Sequence, residues 1–118
     1  MHKKNKHRLG IILFCMIAER AIAQVDIDSG NYMLPYCKAS IAGDLNVWVG
    51  RCAGVIEALI WIVSSIEGSD RFCPPRPLPP KQAVRVVVPY MEQHPDQLHL
   101  DIKVLALRAL QQAWPCPK

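Results

Sequence analysis

The residues best able to do chemistry in this chain are its cysteines, and their placement decides which chemistry that is. Cys37, Cys52, Cys73 and Cys116 form an even set, while Cys15 lies apart in an apolar run near the start. A nucleophilic cysteine needs a free thiol whose pKa is lowered by a base or a helix N-terminus. An even set in an exported chain pairs into disulfides instead, and no Cys-x-x-Cys redox pair is present. His94 and His99 are five residues apart at an expected helix start, a spacing that does not bring both imidazoles onto one face for a metal. They read as a helix-end residue and a boundary residue. Asp96 and Asp101 beside them match no general acid and base arrangement. Trp48 and Trp114 read as core anchors. Trp61 is the exception, since it projects beside Glu57 on a polar helix stripe and can serve an interface. The expectation is two structural bridges, no catalytic residue, no metal and no cofactor.

Pairing of those cysteines requires an oxidising compartment, and the first residues supply a route to one. Residues 1–23 have the pattern of a cleavable signal peptide: Lys3, Lys4, Lys6 and Arg8, an apolar run from Leu9 to Ala18, then Ala21-Ile22-Ala23 at the cleavage site. Cys15 leaves with it, and residues 24–118 are expected as the mature domain. Residues 1–23 hold five Lys/Arg and one Glu, which accounts for the whole formal charge of +4, and the remainder has nine Lys/Arg against nine Asp/Glu. A neutral mature chain gives no electrostatic reason to expect nucleic acid or anionic lipid as a partner, since both need a clustered basic surface. The apolar stretch around Ile60 is interrupted by Glu57 and leaves nine uncharged residues from Ala58 to Ile66, well short of the ~20 that a membrane span needs.

The elements that must hold the cysteines read as helices, punctuated by glycine and proline. Four are expected, in an all-α bundle with room for short extra turns. The first follows Ser29-Gly30-Asn31 to about Ala42, with Met33, Cys37 and Ile41 inward and Pro35 tolerated in its first turn. Gly43-Asp44 recaps the chain, and the second helix runs from Leu45 to about Ile66, with Leu45, Val49, Cys52, Ile56, Leu59 and Val63 inward. From Gly68 to Pro80 comes a loop with five prolines in its last seven positions, stiff and extended. The third helix begins near Pro80, turns Val84, Val87, Val88 and Met91 inward, is kinked at Pro89 and ends at His94. The fourth is expected to start at His94-Pro95-Asp96-Gln97 and to run to about Ala113, with Leu98, Ile102, Leu105 and Ala109 inward. Leu100, Val104 and Leu107 make a second apolar strip on it, either a subunit contact or a seat for the proline loop.

Four cysteines allow three pairings. In an antiparallel hairpin around Gly43-Asp44, Cys37 and Cys52 stand nearly level, which favours Cys37 with Cys52 and leaves Cys73 to hold Cys116 at the chain end.

The residues also carry a family pattern: Gly30-Asn31-x-Met33-Leu34-x-x-Cys37, Cys52-x-Gly54-x-Ile56, Phe72-Cys73-x-Pro75, Gln82 ahead of a valine-rich helix with Tyr90, His94-Pro95-Asp96-x-Leu98-His99, and Ala109-Leu110-x-x-Ala113-Trp114-Pro115-Cys116. Taken together they resemble the Rap and Tai immunity proteins over almost the whole mature chain. The resemblance implies a small, helical, disulfide-stapled periplasmic protein, typically a homodimer. It also implies binding to a peptidoglycan amidase effector of the type VI secretion system, with occlusion of the active site. The expected inhibitory surface is the rigid proline segment with Asp70, Arg71 and Arg76, because a stiffened loop loses little entropy on entering a cleft, and Trp61 is grouped with it. The alternative, a periplasmic acid-stress chaperone, gains little from a neutral mature chain with only two histidines.

Overall fold

In a computed structural model that describes residues 23–65 and 67–118, the chain forms four α-helices. These are α1 (Gly30–Ala42), α2 (Val47–Ile62), α3 (Pro80–Gln93) and α4 (Ile102–Ala113), with single 3-10 turns at Val63–Ser65 and Pro95–Gln97. The expected signal segment and Cys15 lie outside the described residues, apart from Ala23, and so does Ile66.

Local sequence explains where each helix starts. Ser29 holds extended backbone and its hydroxyl accepts the Tyr32 amide, so α1 begins at Gly30. At the other end Gly43 adopts φ +95° and donates to Ser40 while Asp44 donates to Ala39, the pair of bonds that closes a helix through a left-handed glycine. The cap of α2 is Asn46 rather than Asp44: its side-chain oxygen accepts the amides of Trp48 and Val49, both at 3.0 Å. Leu45 therefore precedes the helix and is 96% exposed, not inward as expected. Pro35 sits in the second turn of α1, not the first, because the helix starts at Gly30. α3 remains a single assigned helix across Pro89.

The fourth helix departs furthest from expectation. Pro95–Gln97 forms only a 3-10 turn, and α4 starts at Ile102 behind Asp101, whose carboxylate accepts the Lys103 amide at 2.8 Å. The carbonyls of Leu98 and Leu100 accept the amides of Asn31 and Gly30, each at 2.8 Å, and Ile102 donates to Asp28 at 2.7 Å. These bonds, with the bridge between Ser29 and Asp101, take up two carbonyls and one amide that a continuous helix would have used. The starts of α1 and α4 are thereby sewn together.

Each helix contributes one face to the core: Met33 and Cys37 from α1, Cys52 and Ile56 from α2, Val84, Val87 and Met91 from α3, Ile102, Leu105 and Leu110 from α4, all fully buried. The expected inward residues of α3 are all buried, joined by Ala83. Across the first corner α1 and α2 turn by 90° instead of lying antiparallel, yet Cys37 and Cys52 meet at the crossing with Cα atoms 5.4 Å apart. Among the described residues no single helix is long and apolar enough to cross a membrane.

Candidate functional site

The proline loop is anchored at two points before it reaches solvent. Phe72 is only 2% exposed and joins the buried core beside Val63. Cys73 next to it donates its amide to the Trp114 carbonyl at 2.8 Å and forms the second disulfide, to Cys116, with Cα atoms 4.8 Å apart. Further back, the Gln111 side-chain Nε2 donates to the Ser69 carbonyl, and Gly68 turns the chain at φ +88°. The segment from Pro74 to Pro80 is thus held at both ends, by the bridge and by the start of α3, and the Arg76–Pro77 peptide is cis.

Arg76 links the expected interface residues around this loop, sharing one cleft with Trp61 and another with Arg71. Arg76 and Trp61 come together: Glu57, Ile60, Trp61, Arg76, Leu78 and Pro80 line one cleft of about 400 Å³. It adjoins a second of about 540 Å³ walled by Ile60, Pro74, Pro75, Arg76, Pro77 and Leu78. Trp61 is 76% exposed, and Arg76 is exposed at the junction of the two clefts. Arg71 is exposed, lines a depression with Ser69, Gln111 and Pro115, and shares a third cleft, of about 280 Å³, with Val63, Pro74 and Arg76; Asp70 stands exposed next to it. No ion pair among the described residues engages Asp70, Arg71 or Arg76; the pairs formed are Lys38 with Glu92, Arg51 with Asp28 and Lys103 with Asp101. Ile60, Leu78 and Glu57 complete the cleft. Sequence reasoning had placed Glu57 only on a polar stripe, and the distance in sequence between Ile60 and Leu78 gave no signal that they share a wall.

Other candidate residues have structural tasks. His94 closes α3, stacks on Tyr90 with ring centroids 4.1 Å apart, and its Nδ1 lies 2.7 Å from the Tyr90 carbonyl. His99 Nδ1 lies 3.0 Å from the Asp96 carbonyl, and no cluster of three potential metal ligands occurs among the described residues. Trp48 packs with Tyr32 and Tyr36 at centroid distances of 5.2 and 6.0 Å, and the Arg51 guanidinium sits 5.8 Å from its ring. Leu100 and Leu107, two members of the expected subunit strip, are half-buried against the core, while Val104 is 40% exposed. Leu100 precedes α4 altogether.

The site thus offers an apolar cleft with one cation and one anion at its walls, with no assembled nucleophile and base. Residues 29–116 match the model of a family described as Rap1a immunity proteins. No curated protein and no solved structure matches the chain.

Proposed function

The chain belongs to the Rap1a immunity protein family, and from that premise we propose that the cognate effector it binds is a peptidoglycan amidase delivered by a type VI secretion system. It acts in the periplasm after removal of residues 1–23, as a homodimer, and blocks the amidase sterically. The family match over residues 29–116 carries this reading. Three features support it: a loop pinned at Cys73 and stiffened by proline, the apolar cleft beside it with Trp61 and Arg76 on its walls, and two disulfides suited to an oxidising compartment. The contact surface proposed is the face formed by Trp61, Arg76, Arg71 and Asp70.

The test is titration of the purified mature protein into peptidoglycan digestion by a secreted cysteine amidase, with any such enzyme found encoded beside its gene as the first choice. Activity should fall to zero at a stoichiometric amount. Absence of both binding and inhibition, with suppression of protein aggregation at acid pH instead, overturns the reading.

A further inference from the structure

The two disulfides differ in what stands between them and solvent. Cys37 and Cys52 are both 0% exposed, inside the core that also holds Met33 and Ile56. Cys73 is exposed and Cys116 half-buried. Cys73 lines the cleft it shares with Arg71, Pro74 and Arg76, and Cys116 lines the depression bordered by Ser69 and Gln111. Thiol–disulfide exchange begins when a thiolate reaches one of the two sulfurs, so access decides which bridge reacts. The inner bridge is reached only when the core itself opens.

The helices do not contain the outer bridge. Cys73 lies in the loop before α3, and Cys116 follows α4 by way of Trp114 and Pro115, so opening this bridge takes no residue out of a helix. Phe72 still anchors the loop in the core, and the Gln111 side chain still donates to the Ser69 carbonyl. What changes is the hold on the chain from Cys73 onward. It passes from a covalent bond to the 2.8 Å hydrogen bond between the Cys73 amide and the Trp114 carbonyl, and the residues after Trp114 lose their tie to the loop.

We propose that the bridge between Cys73 and Cys116 is a thiol–disulfide exchange site, opened by a dithiol reductant in the folded protein, whereas Cys37 and Cys52 form a permanent staple. One thiolate of the reductant bonds to Sγ of Cys73, the more open partner, and Sγ of Cys116 leaves as a thiolate and takes up a proton. The second thiol of the reductant then displaces Cys73 from the mixed disulfide. The reductant ends as a disulfide and the chain as two thiols, so two electrons and two protons have moved between them. Opening the bridge removes one of the two anchors of the proline segment, and the surface carrying Arg71 and Arg76 loses its fixed shape. A weaker grip on the amidase is the one consequence that rests on the effector reading; the exchange stands without it.

The test uses the oxidised mature protein without denaturant and dithiothreitol as the dithiol. Samples taken over time are alkylated with iodoacetamide, digested and read by mass spectrometry. Cys73 and Cys116 should be labelled at least about tenfold faster than Cys37 and Cys52, as access to the sulfurs dictates. Helical circular dichroism should stay at its starting value when only the outer pair is labelled. Trypsin should then cut the Arg71–Phe72 bond faster than in the oxidised protein, because the loop has lost an anchor. Four cysteines labelled together, the inner pair labelled first, helical signal lost in step with the first label, or an Arg71–Phe72 bond cut no faster than before each overturns the proposal. No effector enters these measurements, so their outcome is independent of the amidase titration.

Discussion

Gly30 is the most tightly enclosed of the described glycines. A methyl group there would collide with Cδ1 of Leu105 and come within 3.1 Å of the Leu98 carbonyl oxygen, which is backbone and cannot step aside. Gly30→Ala should therefore lower stability by about 1–3 kcal/mol, read from urea unfolding, although alanine is the better helix former. Asp101 carries a different kind of strain on the fold, through charge. Burial alone would raise its carboxyl, but hydrogen bonds from the Lys103 ammonium and amide, with the charge of Lys103, hold it below the ordinary carboxylate value. A lowered native pKa contributes stability that is present above the unfolded value of about 4 and is lost as pH falls through the native one. Asp101→Ala should cost about 1 kcal/mol at neutral pH, the usual worth of a helix cap. Asp101→Asn should keep most of the cap and flatten the acid dependence in melts recorded at neutral and acid pH. Ser29 could be read as a cap from its neighbours, since its bond is local. Asp101 could not, because the carbonyls that end the preceding turn are claimed by amides at positions 30 and 31.

At the scale of the element, hydrophobic spacing was informative wherever one helix face meets the core throughout. The buried residues of α3 were all legible but Ala83, and the end of α1 followed from Gly43, whereas its start lay open between Ser29 and Asn31 as the cap and the structure selects Ser29. The angle between α1 and α2 was not legible, because Gly43 and the extended Asn46 permit several exits and packing against α3 and α4 selects one. The two bridges constrain different lengths of chain, 15 and 43 residues apart. On the chain-entropy model, replacing Cys73 and Cys116 with serine should lower the unfolding free energy by about 4 kcal/mol. Replacing Cys37 and Cys52 should cost about 3 kcal/mol from the same source. The second change should cost more than that figure, since both sulfurs are fully buried and serine would put hydroxyls among apolar neighbours. Urea unfolding of the two double variants, compared with the parent, measures both.

For the whole molecule, the proline loop announced itself in the sequence but its cleft did not. Prolines mark a stiff segment wherever they cluster, whereas the opposite wall, Glu57, Ile60 and Trp61, comes from α2 and is brought there only by tertiary packing. If that cleft meets the effector, Arg76→Glu should weaken amidase inhibition about tenfold or more, the size expected when a central charged contact is reversed. Its melting temperature should stay unchanged, because Arg76 is exposed and in no ion pair among the described residues. The seam between the helix starts has a bearing on how such a protein is made. Synthesis delivers a chain from its first residue onward, yet the leading amides of α1 are addressed to Leu98 and Leu100, and Gly30 waits for a partner seventy positions behind it. If the chain is exported as proposed, an oxidant can link Cys37 to Cys52 before α4 has emerged. The opening helix itself stays provisional until nearly the last residues emerge, so a chain cut short before Leu98 arrives with a bridge in place and no completed fold around it.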